Sequence, residues 1–322
     1  MKHQDYITNE AFEKNELLAL IALARALKCC IVQGLYPSLL AHKTLGILTH
    51  DAAAHTLAVL TCAMEQLGGR AMVLQPPATE DAEMLGHTLT HSVDLLAVRA
   101  EAHADIATLA RFADIPVLNA RSDYSHPIAE LGDAITMLEH LPDGKQLEEC
   151  KIVFVGGATP ICASAMMMTT KLGAHFVHLA SEGQILSEQL LNMGRMNAKA
   201  SGGCLTLTES EEDALTNADF LYLGCGTDES RESGMSIAAP SYCPTPERLQ
   251  ELAPNAQILH HHPAQYRRSE RDLPHFLVAA QSENRLAAAR ALLVFLLRHR
   301  LPSDWASECA RASLLYALGR LE

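Results

Sequence analysis

Three consecutive histidines, His260, His261 and His262, lie between an apolar run and Pro263, with Arg267 and Arg268 close behind. Imidazole and guanidinium groups at that density suit proton transfer near neutral pH or the binding of an anion. A metal site fits less well. Neighbouring residues on an extended strand point to opposite sides, so three in a row face one ion only if the chain turns. A merely polar or structural role stays open beside the titrating one. Other candidates are Arg99 at the end of an apolar run, His126 before Pro127, and Arg285 in a helical Glu-Asn-Arg segment. Taken alone, each is equally a surface cation or a satisfied loop histidine. Val153-Phe154-Val155-Gly156-Gly157 running into a helix has the small residues of a dinucleotide loop. Gly-x-Gly-x-x-Gly is absent, however, and Pro160 falls in the turn. A tight strand-to-helix turn is favoured, and a nicotinamide oxidoreductase is the weaker reading.

The elements that must position these residues are legible from periodicity. Leu17, Leu20, Ile21, Ala24 and Leu27 recur at helical spacing. A buried strand is expected at 44–48, a helix at 52–66 stopped by Gly68-Gly69, and strands at 70–74, 93–98 and 116–119 with a helix at 102–113. Leu141-Pro142-Asp143-Gly144 is the expected hinge. The alternation then restarts, with strands at 151–155, 175–179, 205–208, 220–223 and 257–259, helical spacers between them, and helices at 161–172, 283–298 and 304–321. Strands alternating with helices predict parallel sheets covered on both faces, so the fold class is α/β with two doubly wound domains.

The 322 residues are comfortable for two domains, and 48% hydrophobic against 20% charged is an ordinary globular balance. A formal charge of −13 argues against nucleic acid and anionic membranes, though a few local arginines still allow an anionic small-molecule substrate. The polar start, Met1 to Lys14, has no apolar signal region, and Arg25 and Lys28 interrupt the most apolar early stretch. Nine cysteines without a Cys-x-x-Cys pair suit reduced thiols in a cytoplasm and weaken a structural zinc.

Four segments in order resemble the aspartate/ornithine carbamoyltransferases, most closely the ornithine branch. Ile115-Pro116-Val117-Leu118-Asn119-Ala120-Arg121-Ser122-Asp123, with His126-Pro127 and Leu131-Gly132-Asp133, is similar to that family's I-P-V-I-N-x-x-S-D-x-x-H-P-x-Q-x-x-x-D. The stretch from Lys151 to Met168 resembles K-x-x-x-x-G-D-x-N-N. His260-His261-His262-Pro263-Ala264 stands where the ornithine branch has H-C-L-P-A, and Glu283-Asn284-Arg285-Leu286 matches E-N-R-L. Gln66-Leu67-Gly68-Gly69 adds a weaker match. The resemblance runs from the first helix to about Arg298. It implies a carbamoyl-phosphate-type domain at 1–141, an acceptor-type domain at 142–285 and C-terminal helices at 286–322 that return to the first. It further implies a homotrimer or multiple of trimers, and no resident cofactor or metal.

Carried over residue by residue, the resemblance makes Arg99 and His126 the carbonyl-polarising pair and His261 a candidate acid-base group. His55, Thr56, His260, Arg285 and Thr159 fall at substrate-binding positions. The departures are as informative. The family's phosphate motif S-T-R-T-R aligns with Ala53, Ala54, His55, Thr56 and Leu57, where only Thr56 survives. A guanidinium contact is worth about 1.5–3 kcal/mol and a neutral hydroxyl about 1 kcal/mol. The loss therefore totals about 3–5 kcal/mol, or roughly 10²- to 10⁴-fold in affinity without compensation. Ala129 replaces a glutamine. Thr159-Pro160 replaces paired asparagines, and Gly224 and Gly226 replace the D-x-W, so an ornithine amine would lack its carboxylate partner. The expected function is carbamoyl transfer, or transfer of a related group, from an activated donor to an atypical amine or amino-acid acceptor. The alternative is a catalytically inactive paralogue acting as a binding or assembly partner.

Overall fold

The computed structural model describes residues 4–49, 53–75, 81–180, 183–224, 244–260 and 275–297. These fall into two compact units. One comprises the described residues of Met1–Ile135 and Asn284–Glu322, the other those of Thr136–Glu283.

The first unit begins with α1 (Lys14–Val32), whose N-terminus is closed by a reciprocal Glu13/Glu16 capping box. Its stripe of Leu17, Leu20, Ile21, Ala24 and Leu27 is buried, as the spacing predicts. The chain continues through β1 (Thr44–Thr49), α2 (Ala54–Gln66), β2 (Arg70–Leu74), α3 (Ala82–Leu89), β3 (Leu95–Arg99), α4 (His103–Phe112), β4 (Val117–Arg121) and α5 (Pro127–Glu139). Its sheet is parallel, in the order β2-β1-β3-β4. β1 is buried from Leu45 to Thr49, as a central strand covered on both faces must be. Gly46 is closely packed: a Cβ there would meet Leu96 Cδ2 at 3.0 Å and Leu74 Cδ1 at 3.1 Å, so those side chains would have to shift slightly.

The second unit holds β5 (Lys151–Val155), α6 (Pro160–Leu172), β6 (His175–Leu179), α7 (Glu188–Ser201), β7 (Cys204–Thr208), α8 (Glu211–Leu215), β8 (Phe220–Leu223), α9 (Pro246–Leu252) and β9 (Gln257–His260). Its five strands are parallel in the order β7-β6-β5-β8-β9. Val153, Val155, Val177, Leu179, Leu221, Leu223 and Ile258 form one face of its core with Ala214, Leu215 and Leu249. The last described element, α10 (Val278–Leu297), starts in the second unit and ends in the first.

Each sheet reverses its order once, between β1 and β3 in the first and between β5 and β8 in the second. In open α/β sheets the crevice at that switch, outside the C-terminal strand ends, is where ligands bind. One device pins both switches. Asp94, just before β3, accepts from Thr44 N–H at 2.8 Å and Lys43 Nζ at 2.7 Å. Asp219, just before β8, accepts from Lys151 N–H at 2.9 Å and Lys145 Nζ at 2.6 Å. In each case a carboxylate ties the first residue of one central strand to its neighbour across the switch. Burial pushes the Asp94 carboxyl up, but the bonds from Lys43 and Thr44 outweigh it and hold it below the ordinary value.

Two helices lie outside the sequence expectations: α3, and α5, which starts at Pro127 itself, as the fixed φ of proline favours at a helix start. The expected final helix at 304–321 lies outside the described residues, and among those no helix is long and apolar enough to cross a membrane.

Candidate active site

The C-terminal edge of the first sheet brings cations to its switch. Arg99 ends β3 and Arg121 ends β4, paired in register at a bulge between Val98 and Arg99. α2 starts above β1 with Ala53 at its N-cap, where φ is 28° and no side chain caps the helix. His55 and Thr56 follow in its first turn. Arg285 arrives from α10 and is only 6% exposed.

His126 sits at the end of a loop built to hold it still. Asn119, fully buried, donates from Nδ2 to Ile7 O at 3.0 Å and Ser125 O at 3.2 Å. Ser122 N–H donates to Ser125 O, and Ser125 N–H donates back to Ser122 Oγ. Glu130, one turn into α5, accepts at Oε1 from Ser125 Oγ–H and from His126 N–H, both at 2.9 Å. Its Oε2 accepts from Asn9 Nδ2 at 2.6 Å, and Asn9 Oδ1 accepts from the Tyr6 hydroxyl. Burial, with Glu130 nearby, drives the Tyr6 phenol far up, so it serves as a donor only.

Four other groups act electrostatically on His126. Burial holds its imidazole well below the ordinary histidine value, and Arg285, Arg121, Arg99 and His55 push it further, in that order. It is therefore a neutral ring among three guanidinium groups. Its Nδ1 is buried and has no hydrogen-bond partner among the described residues. Partial burial and Arg285 likewise lower His55. Asp133 Oδ1 lies 3.8 Å from Arg285 Nη2, an ion pair too long for a hydrogen bond. Guanidinium groups of this kind suit an anion, and a neutral imidazole can donate a hydrogen bond to a carbonyl oxygen.

Of the residues singled out from sequence, Arg99, His126, His55 and Arg285 converge here, with Thr56 buried on the same helix turn as His55. Ala129 is buried and supplies no polar group. Arg121 was missed. Its signal was a basic residue directly after an apolar strand, the same signal that drew notice to Arg99. Glu130 was missed too, because its role is visible only once the loop is folded.

In the second unit the switch carries different chemistry. Thr159 is the N-cap of α6, its Oγ1 accepting from Cys162 N–H at 3.2 Å, with Pro160 as the first helical residue. This is the tight strand-to-helix turn expected from the sequence. Gly224, just past β8, lies against Phe154: a Cβ would stand 2.3 Å from the ring's Cζ. Phe154 is fully buried and stacks on Tyr222 at 5.5 Å. The phenylalanine ring thus fills the space that a side chain at position 224 would need. His260 ends β9, buried, its N–H donating to Gln281 Oε1 at 2.9 Å. His261 and His262 lie outside the described residues.

Two family models divide the chain between them. Residues 4–139 match the carbamoyl-P binding domain of aspartate/ornithine carbamoyltransferase, and residues 148–296 match its Asp/Orn binding domain. The chain belongs to the aspartate/ornithine carbamoyltransferase family. It is 31% identical over 317 residues to a putrescine carbamoyltransferase of Mycoplasma capricolum subsp. capricolum, covering 92% of this chain and 87% of that relative. It is 30% identical over 312 residues to the ornithine carbamoyltransferase of Pyrococcus abyssi, covering 92% and 96%. Among solved structures, ornithine carbamoyltransferase from Pyrococcus furiosus superposes with a TM-score of 0.83 at 27% identity, covering 93% of this chain and 98% of that one. The doubly wound architecture expected from the sequence is thereby established for this carbamoyltransferase-family chain.

Proposed function

We propose that the chain is an active carbamoyltransferase that delivers the carbamoyl group to a primary amine other than ornithine, a simple diamine such as putrescine being the first candidate. The observation that carries this reading is the convergence of Arg99, Arg121 and Arg285 on a neutral His126. An inactive descendant has no need of a clamped imidazole held neutral in the field of three guanidinium groups. Arg121 offsets part of the charge lost with the family's phosphate motif. The acceptor assignment draws support from Gly224, where Phe154 blocks a carboxylate side chain, and from the likeness to putrescine carbamoyltransferases.

In this reaction the amine nitrogen attacks the carbamoyl carbon and a C–N bond forms. The C–O bond to phosphate breaks, the electron pair leaves with the phosphate, and the proton shed by the amine goes to a phosphate oxygen. Positioning and charge supply most of the rate. The guanidinium groups offset negative charge on the phosphate and the carbonyl oxygen, and His126 donates one hydrogen bond to that oxygen. The reading requires no metal or redox cofactor. A homotrimer in the cytoplasm is part of the same proposal, on the strength of the family alone.

A second reading, a binding or assembly partner without catalysis, is favoured by Ala53 and Ala54 at the start of α2, where no side-chain hydroxyl meets an anion. One experiment separates the two. The protein is incubated with carbamoyl phosphate and either putrescine or ornithine, and ureido product is measured beside calorimetry of carbamoyl phosphate alone. Product with putrescine and little with ornithine is expected. Heat without product with any amine supports the binding reading. Neither heat nor product removes carbamoyl phosphate as donor and overturns the proposal.

A further inference from the structure

The loop that ends at His126 has a second histidine beside it. His103 is the first residue of α4, and its N–H donates to Asp123 Oδ1 at 2.8 Å. That bond fixes the backbone. The ring reaches the buried Ser122, with Nδ1 and Ser122 Oγ 3.0 Å apart.

Which of the two atoms donates follows from their other partners. Three N–H groups approach Ser122 Oγ, from Ser125 at 3.2 Å and from Tyr124 and Asn119 Nδ2 at 3.3 Å each. A hydroxyl has two lone pairs and one proton, so its lone pairs are more than filled. The proton has two acceptors within reach, Ser125 O at 3.2 Å and His103 Nδ1. Ser125 O already accepts from Ser122 N–H at 3.0 Å and from Asn119 Nδ2 at 3.2 Å, which fills both of its lone pairs. The Ser122 proton therefore goes to His103 Nδ1, the shorter contact, and the ring carries its own proton on Nε2.

The surroundings favour that neutral ring. Burial lowers His103 below the ordinary histidine value and outweighs the Asp123 carboxylate, which favours the charged form. The Tyr124 ring lies 5.0 Å from the imidazole, its hydroxyl donating to Glu10 at 3.0 Å. Burial and Glu10 push that phenol up to about 12, so it stays uncharged. On the histidine's own element, Asp105 stands in the first turn and Glu101 just before it. A proton on Nδ1 would point at an oxygen that three donors already surround. The hydroxyl would lose its acceptor, and the turn from Ser122 to Ser125 would lose the group about which its amides are arranged. Ser125 directly precedes His126.

We propose that neutral His103 is a positioning residue that holds the Ser122–Ser125 turn, and through it His126, and that protonating His103 releases the turn. As a statement about donor binding this rests on the carbamoyltransferase reading; as a statement about the turn it does not.

Hydrogen exchange of the ligand-free protein, read by mass spectrometry on a peptide spanning 119–127, tests the turn. Calorimetry of carbamoyl phosphate on the same samples tests the consequence for the donor. His103→Asn keeps an acceptor in the place of Nδ1 and takes no proton there, whereas His103→Leu keeps bulk and offers no acceptor. At pH 7.5 the asparagine variant matches the parent within about twofold in both assays. The leucine variant exchanges about fivefold faster and binds about fivefold more weakly, the worth of one neutral hydrogen bond. At pH 5 the parent exchanges at least about threefold faster than the asparagine variant, because the open turn takes up a proton that the closed one refuses. Comparison at one pH cancels the acid dependence of exchange itself and the titration of His55 and His126.

A leucine variant that exchanges like the parent overturns the proposal, as does an asparagine variant with the parent's acid response. An unchanged isotherm beside a loosened turn overturns the positioning role. If His103→Leu fails to fold, the acid response of the asparagine variant decides the matter alone. Exchange as expected, with no heat from the parent, supports the hold of His103 on the turn and counts instead against carbamoyl phosphate as donor.

Discussion

Gly132 offers a way to move Arg285 without touching it. A Cβ at Gly132 would stand 2.9 Å from Arg285 N and 3.0 Å from its Cα and Cγ. Ordinary contact begins at 3.4 Å, so Gly132→Ala must find about 0.5 Å, against a helix backbone that does not swing aside like a side-chain tip. Two effects on stability oppose each other. Alanine in a helix interior is favoured over glycine by about 0.8–1.0 kcal/mol, while overpacking costs about 1–3 kcal/mol. The net loss is therefore small, about 0–2 kcal/mol. The effect on function is not small. A misplacement of about 1 Å in a positioning group costs on the order of 10²-fold, so half of that displacement at Arg285 costs on the order of tenfold. Urea melts and carbamoyl phosphate calorimetry on the same samples read both quantities. The expected result is nearly native stability with affinity about tenfold lower. A variant about 1 kcal/mol more stable, with affinity within twofold of the parent, would show that α5 and α10 do not meet there or that Arg285 plays no part in binding.

Other outcomes follow from the same geometry. Arg121→Ala lowers carbamoyl phosphate affinity about 10- to 100-fold, the worth of a charged hydrogen bond of about 1.5–3 kcal/mol; an unchanged isotherm would exclude Arg121 from the site. Glu130→Gln keeps one oxygen to accept from His126 N–H and Ser125 Oγ but turns an NH2 donor towards Asn9 Nδ2 in place of its acceptor, and destabilises by about 1–3 kcal/mol in urea, whereas a loss under about 0.5 kcal/mol would mean the clamp is idle. His126 titrates below the ordinary value of 6.5, so as pH falls through 6.5 the unfolded chain takes up a proton that the folded one refuses, and stability drops. Between pH 7 and 5.5 this amounts to about 1 kcal/mol, which His126→Asn removes from the difference between melts at the two pH values; an identical pH dependence in the variant would contradict a neutral buried ring. Gly224→Asp does not confer ornithine turnover, because Phe154 occupies the space, and ornithine activity in that variant would overturn the acceptor argument.

The strands were legible because parallel central strands are continuous apolar runs. Lys151–Val155, His175–Leu179 and Phe220–Leu223 match their sequence-predicted bounds. α3 escaped notice because its approach is proline-containing and acidic, and an eight-residue helix leaves little periodicity to detect. α5 was hidden behind His126-Pro127, which drew attention as a motif rather than as a helix start. At the site, Arg99, His126 and Arg285 were found through segment likeness, and Arg121 was not, because the likeness assigns it no role even though it follows an apolar strand as Arg99 does. Its partnership with Arg99 comes from parallel pairing of strands whose ends are more than twenty residues apart in sequence. The same limit hid Phe154: that it excludes a side chain at Gly224 is a fact about two adjacent strand ends.

The first unit is discontinuous, and its missing piece is made last. α10 delivers Arg285 after every residue of the second unit has been synthesised. Lys28 Nζ bonds Asn284 Oδ1 at 2.8 Å, and Arg290 Nε bonds Gln66 Oε1 at 2.8 Å, so α1 and α2 wait on the ribosome for partners some 220 to 260 residues downstream. Since domains form as the chain emerges, the second unit can finish while the first still lacks a helix. The anion cluster is then the final structure to close during translation. A nascent chain stalled before position 284 would hold His126 and Arg99 without the arginine that acts most strongly on His126, and only the completed polypeptide would bind a donor.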